Sequence, residues 1–392
     1  MKLLERNYLT KIIHVIGTPD IKVITGIRRS GKSCLLLQFM EYINQTDKDA
    51  NIIFVDFNSL SAEPYLEYHA LNNYIEGQYK SNKNNYVCID EVQMCSGFEK
   101  AINSLHSSMK YDIYITDSNA FLLSSDLATL FTGRTYEIEV FPFSYKECLK
   151  YYDGQYSLDR YVREGGMPGT LLYREKDDKY KYIRDVFETL IIRDITNKYS
   201  MRNKEVIHDL AYFMMDNISS LTSANNISKS LANANIKITD KTIKLYMQYL
   251  KDSYLFYKVR RYDIKRKKCL ATNDKYYLSD HSFRYAIIGT KNMDYGRVYE
   301  NIVAIELLRR GYEVYVGKLY KKEVDFVAIK QNEKIYFQVS DDISNQKTFD
   351  REVTSLLEIQ DAYPKILLAN THHDEYQYEG VKIIDIEEWL KM

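Results

Sequence analysis

The chain has 392 residues, and its 54 Lys and Arg balance 54 Asp and Glu to a formal net charge of zero. That length predicts two or three domains rather than one. The charge balance argues against a uniformly basic nucleic-acid coat, and no apolar run approaches the ~18 residues of a membrane-spanning helix. Met1-Lys2-Leu3-Leu4-Glu5-Arg6-Asn7 lacks the apolar core of a signal peptide, so a cytoplasmic location and no membrane partner are expected. The five cysteines form no C-x-x-C pair and read as buried thiols, and His372-His373-Asp374 reads as an exposed loop.

Residues 3–16 predict a helix with Leu3, Leu4, Tyr8, Ile12, Ile13 and Ile16 on one stripe. Ile21-Lys22-Val23-Ile24-Thr25 then predicts a strand feeding Gly26-Ile27-Arg28-Arg29-Ser30-Gly31-Lys32-Ser33, which fits the phosphate-binding pattern G-x-x-x-x-G-K-[ST] without a mismatch. Cys34 opens the helix that follows. A strand, a glycine-rich turn and a helix N-terminus aim backbone N–H groups at one point, where the helix dipole favours negative charge. Lys32 is expected on the β- and γ-phosphates of ATP, and Ser33 on Mg²⁺. Residues 51–57 predict a second strand and 63–79 a helix. Tyr86-Val87-Cys88-Ile89-Asp90-Glu91 is an apolar strand ending in two carboxylates, 58 residues after Lys32. Asp90 is expected to hold the metal, and Glu91 to polarise the attacking water.

Asp112-Ile113-Tyr114-Ile115-Thr116 predicts another strand. Ser118 and Asn119 beyond it read either as γ-phosphate sensors or as a strand-to-helix cap. Arg134 reads either as a phosphate-reaching arginine, in its own subunit or in a neighbour's, or as a surface residue.

With these residues in order, the chain resembles a prokaryotic AAA+ ATPase family that carries a double-arginine P-loop and a C-terminal domain of unknown function. The resemblance rests on residues 26–33, Ile89-Asp90-Glu91-Val92-Gln93, Thr116-Asp117-Ser118-Asn119, Thr132-Gly133-Arg134, Phe141-Pro142-Phe143-Ser144-Tyr145 and Glu164-Gly165-Gly166-Met167-Pro168. It implies an α/β P-loop NTPase core with a parallel sheet, a winged helix-turn-helix and an α/β restriction-endonuclease-like C-terminal domain. The family usually has Gly where this chain has Asp117. The expected boundaries are 1–200, with a helical lid at 157–200, then 201–285 and 286–392.

Within 204–278, three helices and a basic hairpin are expected. Ser223 caps the second helix, and Thr239 or Asp240 caps the third. Ile243, Met247 and Leu250 face the core, and Lys241, Lys244 and Gln248 face away. From Lys237 to Lys268 there are 11 Lys and Arg against 3 Asp, a net of +8, so the remainder carries −8. Lys241, Lys244, Gln248, Lys265, Arg266, Lys267 and Lys268 are therefore the candidate contacts to double-stranded DNA. A structural or protein-docking role for the same module is the other reading. In the tail, Glu300 on a helix and Asp325 on a strand fit two places of a Mg²⁺-dependent nuclease site. Gln338 and Ser340 stand where a third carboxylate or its lysine is needed, so no nuclease activity is expected. The expected function is ATP binding and hydrolysis coupled to DNA or a protein partner, with an oligomer possible. The alternative is a nucleotide-gated DNA-binding or signalling switch with little turnover.

Overall fold

A computed structural model of the chain describes residues 4, 6–119, 131, 133–199, 201, 204–233, 236, 238–270, 273–290 and 293–392. Leu3, Thr132 and Lys237, which figure in the expectations above, lie outside the described residues. By its contacts the chain divides into two units, residues 1–141 with 252–254, and residues 142–251 with 255–392.

The first unit is a five-stranded sheet of β1 (Ile21–Thr25), β2 (Ala50–Asp56), β3 (Asn84–Asp90), β4 (Asp112–Thr116) and β5 (Thr135–Glu139), in the order β2-β3-β4-β1-β5. Each neighbouring pair is parallel. Around it run α1 (Asn7–Ile13), α2 (Lys32–Thr46), α3 (Tyr68–Gly77) and α4 (Phe98–Ser107). A parallel sheet covered on its faces needs strands apolar on both sides, and β1 is buried at all five positions. Ile21, Val23, Val87, Ile89, Ile113 and Ile115 join Leu71, Ile75, Ile102 and Leu105 of α3 and α4 in one core. The helix expected over 63–79 is interrupted: Leu60–Tyr65 is a 3₁₀ turn containing Pro64, and α3 starts afresh at Tyr68.

In the second unit, α5 (Tyr145–Tyr151), α6 (Leu158–Glu164) and α7 (Lys176–Thr189) precede α8 (Lys204–Asp216), α9 (Ala224–Asn233) and α10 (Asp240–Asp252). There follow β6 (Phe256–Asp263), β7 (Lys268–Cys269), β8 (Lys275–Leu278), α11 (Ser282–Ile287), α12 (Tyr295–Arg309), β9 (Glu313–Leu319), β10 (Lys322–Lys330) and β11 (Glu333–Ser340). The chain ends with α13 (Gln346–Leu357), β12 (Lys365–Ala369), β13 (Tyr376–Tyr378), β14 (Val381–Asp385) and α14 (Ile386–Lys391). Strand β6 has two sets of neighbours. Its first half pairs antiparallel with β8, and its second half pairs antiparallel with β7 and parallel with β9. The sheet therefore runs on from the basic hairpin into the C-terminal strands, in the order β13-β14-β12-β11-β10-β9-β6-β7.

The Glu164-Gly165-Gly166-Met167-Pro168 signature is a packing junction of this unit. A Cβ on Gly165 would stand 2.1 Å from Asp280 Oδ1, and one on Gly166 would stand 1.9 Å from the Phe143 carbonyl oxygen. The Gly166 N–H donates to Asp280 Oδ2 at 2.7 Å, and its carbonyl accepts from the Phe143 N–H at 2.7 Å.

Candidate functional site

All five strands of the first unit point the same way, so the segments leaving β1, β3 and β4 gather at one edge. That edge is where ligands sit in open α/β sheets. Gly26 leaves β1 with φ +131°, and a Cβ there would stand 2.2 Å from the Val140 carbonyl oxygen. Gly31, at φ +103°, caps α2 so that Lys32 begins the helix. The turn is held from beneath by Arg6, a buried residue that the sequence reading passed over. Its guanidinium donates to the Ser30 carbonyl at 2.9 Å and to the Phe141 carbonyl at 2.8 Å.

Lys32 is buried, and its amine donates to the Gly26 and Ile27 carbonyls at 2.8 and 3.0 Å. Burial pushes its pKa down, while the carboxylates of Glu91, Asp117 and Asp90 pull it up. Asp117 therefore lies within electrostatic reach of Lys32. It is fully buried, takes the Asn119 N–H on Oδ1 at 2.9 Å, and adds a negative charge where the family usually has glycine.

Thr116, at the end of β4 between β1 and β3, joins the two acids. Its hydroxyl donates to Asp90 Oδ1 at 2.6 Å and accepts the Glu91 N–H at 2.9 Å. Glu91 takes a left-handed backbone, φ +55°, a conformation that a non-glycine residue adopts at a cost. Its carboxylate accepts from the Gln93 amide and, at 3.4 Å, from the Ser118 hydroxyl. Burial raises the pKa of Asp90, against hydrogen bonds from Thr116 and Ser33. A serine hydroxyl and a carboxylate oxygen thus meet beside the loop, a pair of hard oxygen donors that fits Mg²⁺.

Lys32, Ser33, Asp90, Glu91, Ser118 and Asn119 come together at this edge. Arg134 does not. It precedes β5, and its carbonyl accepts the Ile21 N–H at 2.7 Å, at the start of β1. A strand of five residues, about 15 Å, separates it from the loop, beyond the reach of one arginine side chain. The expected approach to the γ-phosphate of its own subunit is not made.

In the second unit, Ile243, Met247 and Leu250 of α10 are buried, and Lys241, Lys244 and Gln248 lie on its exposed face. Thr239, one of the two expected caps, accepts the Thr242 N–H at 3.2 Å. Lys244, Gln248, Lys251 and Lys258 line a groove of about 330 Å³ with Ser223 and Asp274. Lys265, Arg266 and Lys267 are exposed on the turn between β6 and β7, and Lys268 is exposed at the start of β7.

The tail brings Glu300, Asp325 and Gln338 into one buried network and adds a residue the sequence reading missed, Lys275 of β8. The Lys275 amine is 2.8 Å from Glu300 Oε1 and 2.7 Å from Glu323 Oε1. Asp325 sits where β10 changes register against β9, and its Oδ2 accepts the Val339 N–H at 2.9 Å. Gln338 accepts the Asp325 N–H at 3.2 Å and donates to Glu352 Oε2 at 2.8 Å. Ser340 donates to the Asp342 carbonyl, and the Asp342 carboxylate turns to Ser344. The positive charge in this network therefore comes from β8, pinned between the Glu300 and Glu323 carboxylates. Among the described residues no group of three or more His, Cys, Asp or Glu is placed to hold a metal. No helix among them is long and apolar enough to cross a membrane.

An AAA-domain family model matches residues 18–149, and a model for a domain of unknown function matches residues 155–294. An uncharacterized protein of Haemophilus influenzae is 36% identical over 395 aligned positions, covering 98% of each chain. The chain belongs to the family of that protein. Its first unit is an AAA-type P-loop ATPase domain on an α/β fold. The uncharacterized protein MJ1544 of Methanocaldococcus jannaschii is 27% identical over the whole chain and 90% of its own length. Among solved structures, the Walker-type ATPase PABY2304 of Pyrococcus abyssi is 15% identical over 72% of this chain and 95% of its own, at a TM-score of 0.47.

Proposed function

We propose that this family member binds and hydrolyses ATP and couples its nucleotide state to engagement of double-stranded DNA. The observation that carries the ATPase reading is the Thr116-bridged Asp90–Glu91 pair facing Lys32. The Lys32 amine and the N-terminus of α2 take the charge of the β- and γ-phosphates. Ser33 and Asp90 would hold Mg²⁺, which when bound neutralises developing charge on the transferred phosphoryl group. Glu91 orients the attacking water and accepts its proton, and Ser118 steadies that carboxylate. Arg134 is left with a role toward the nucleotide of a second copy. The DNA reading is supported by exposed cations on α10 and on the β6–β7 turn, which would serve as the reading helix and wing of a winged helix. The tail serves docking rather than cleavage.

Lys32→Ala should abolish tight ATP binding, and Glu91→Gln should keep binding and lose hydrolysis. Unchanged turnover in Glu91→Gln removes Glu91 as the base. The second reading, a slow switch, is favoured by the Gln93 amide on Glu91. A base already accepting a hydrogen bond is a poorer proton acceptor, so Gln93→Ala should raise the basal rate.

A further inference from the structure

We propose that the β6–β7 turn and the β9–β10 turn together form a site for single-stranded nucleic acid, with Tyr320 as the stacking platform for an unpaired base. The inference rests on the nucleic-acid reading above and adds to it, by assigning the β6–β7 turn of that basic surface to an unpaired strand as well as to the duplex.

The two turns project from the same end of the sheet because β6 and β9 run parallel, with Asp263 level with Lys318. They are locked side by side. The Ile264 N–H donates to the Lys318 carbonyl at 3.0 Å, and Ile264 and Leu319 are both buried at the roots of the turns. Gly317 permits the close approach, since a Cβ there would stand 2.9 Å from Val324 Cβ and 3.0 Å from Ile264 Cδ1. Tyr320, at φ +54°, tops the second turn with 64% of its surface in water. The Lys265 amine of the first turn stands 4.8 Å from its ring centre.

Acidic neighbours silence part of this patch. Arg266 faces Asp263 at 4.0 Å, and Lys322 is paired with Glu358. Among the described residues Lys265, Lys267, Lys268 and Lys321 have no carboxylate partner, which leaves four cations on the two turns and their roots, with Lys265 against the exposed Tyr320 ring. A duplex keeps its bases stacked inward and offers such a ring nothing. A single strand offers phosphates to the lysines and a base face to the tyrosine, and each such base is worth about 1–3 kcal/mol.

The test is fluorescence anisotropy of the full chain with a labelled 20-mer single-stranded DNA and with its blunt duplex, at several salt concentrations. The single strand should bind more tightly. Tyr320→Ala should weaken it about 5- to 150-fold and leave the duplex unchanged, while Tyr320→Phe keeps wild-type affinity. Lys321→Ala should shallow the single-strand salt slope by up to about 0.7. If replacing Lys265, Arg266, Lys267 and Lys268 abolishes binding while Tyr320→Ala changes nothing, the basic turn binds nucleic acid without this site and the inference falls alone. If neither DNA binds at low salt, the DNA reading falls with it.

Discussion

The Thr116 hydroxyl stands 2.6 Å from Asp90 Oδ1 and at the same time receives the Glu91 N–H. One hydroxyl therefore fixes both the Asp90 carboxylate and the strained backbone that presents Glu91, the two groups proposed to hold the metal and to activate water. Thr116→Val keeps shape and burial but leaves a buried carboxylate and a buried N–H short of one partner each. Outer-shell losses of this kind cost about 10- to 100-fold in activity. The expected outcome is ATP binding within a few-fold of wild type, turnover reduced by that factor and a raised Mg²⁺ requirement, read from steady-state hydrolysis over a Mg²⁺ titration.

Arg6→Met retains an apolar stem beneath the P-loop and removes the two charged hydrogen bonds to Ser30 and Phe141. Hydrogen bonds from charged groups contribute about 1.5–3 kcal/mol each, so a loss of about 3–6 kcal/mol is expected. Thermal unfolding should show the loss in the melting temperature, and saturating ATP should recover part of it by mass action.

Gly166→Ala is expected to prevent folding of the second unit. The new Cβ meets backbone at 1.9 Å, which no rotamer change relieves. Soluble expression and circular dichroism check this, and a well-folded Gly166→Ala protein would contradict the packing role of the signature.

The tail titrates in a direction opposite to ordinary surface carboxylates. Burial, then the Glu300 charge, holds Asp325 well above the usual range, against the pull of Lys275 and the Val339 N–H. The folded chain thus binds a proton where the unfolded chain has released it. The contribution of Asp325 to stability is greatest below the unfolded value of 3.8 and falls as pH rises through the folded one. Asp325→Asn should flatten that fall, giving a urea midpoint that gains on wild type between pH 4 and pH 8. Lys275→Met strands the buried carboxylates and should cost about 3–5 kcal/mol. Neither plasmid nor single-strand cleavage is expected with Mg²⁺ or Mn²⁺. Cleavage lost in Asp325→Ala but surviving in Lys32→Ala would overturn the docking role.

The P-loop and the Asp90-Glu91 pair were legible because their chemistry is written in consecutive residues, at a strand end that apolar patterning locates. Thr116 stood in a recognised signature, yet its role depends on β4 lying between β1 and β3, and strand order has no local signal. Arg6 acts 24 residues from Ser30 and 135 from Phe141, with no periodicity to announce it. Lys275 escaped for a like reason. It lies within the segment expected to hold the basic hairpin, whereas its side chain answers to Glu300 and Glu323, which reach it only through tertiary packing. Arg134 stayed open between phosphate and surface in the sequence; the parallel register of β5 with β1 sets it at the end of the sheet away from its own subunit's loop.

Because β6 takes β9 as a neighbour, the strand is completed only late in synthesis. Asp263 leaves the ribosome 50 residues before Glu313. At about 5–20 residues per second, one edge of β6 waits roughly 3–10 s for its partner. During that interval it offers unpaired backbone groups to any other nascent chain. The charges it carries there, Arg260 and Arg261, are the kind that keep a waiting edge from annealing with its own copies. A transcript truncated before residue 313 would leave that edge open for good, so shortened forms ending in this region should be the ones that aggregate.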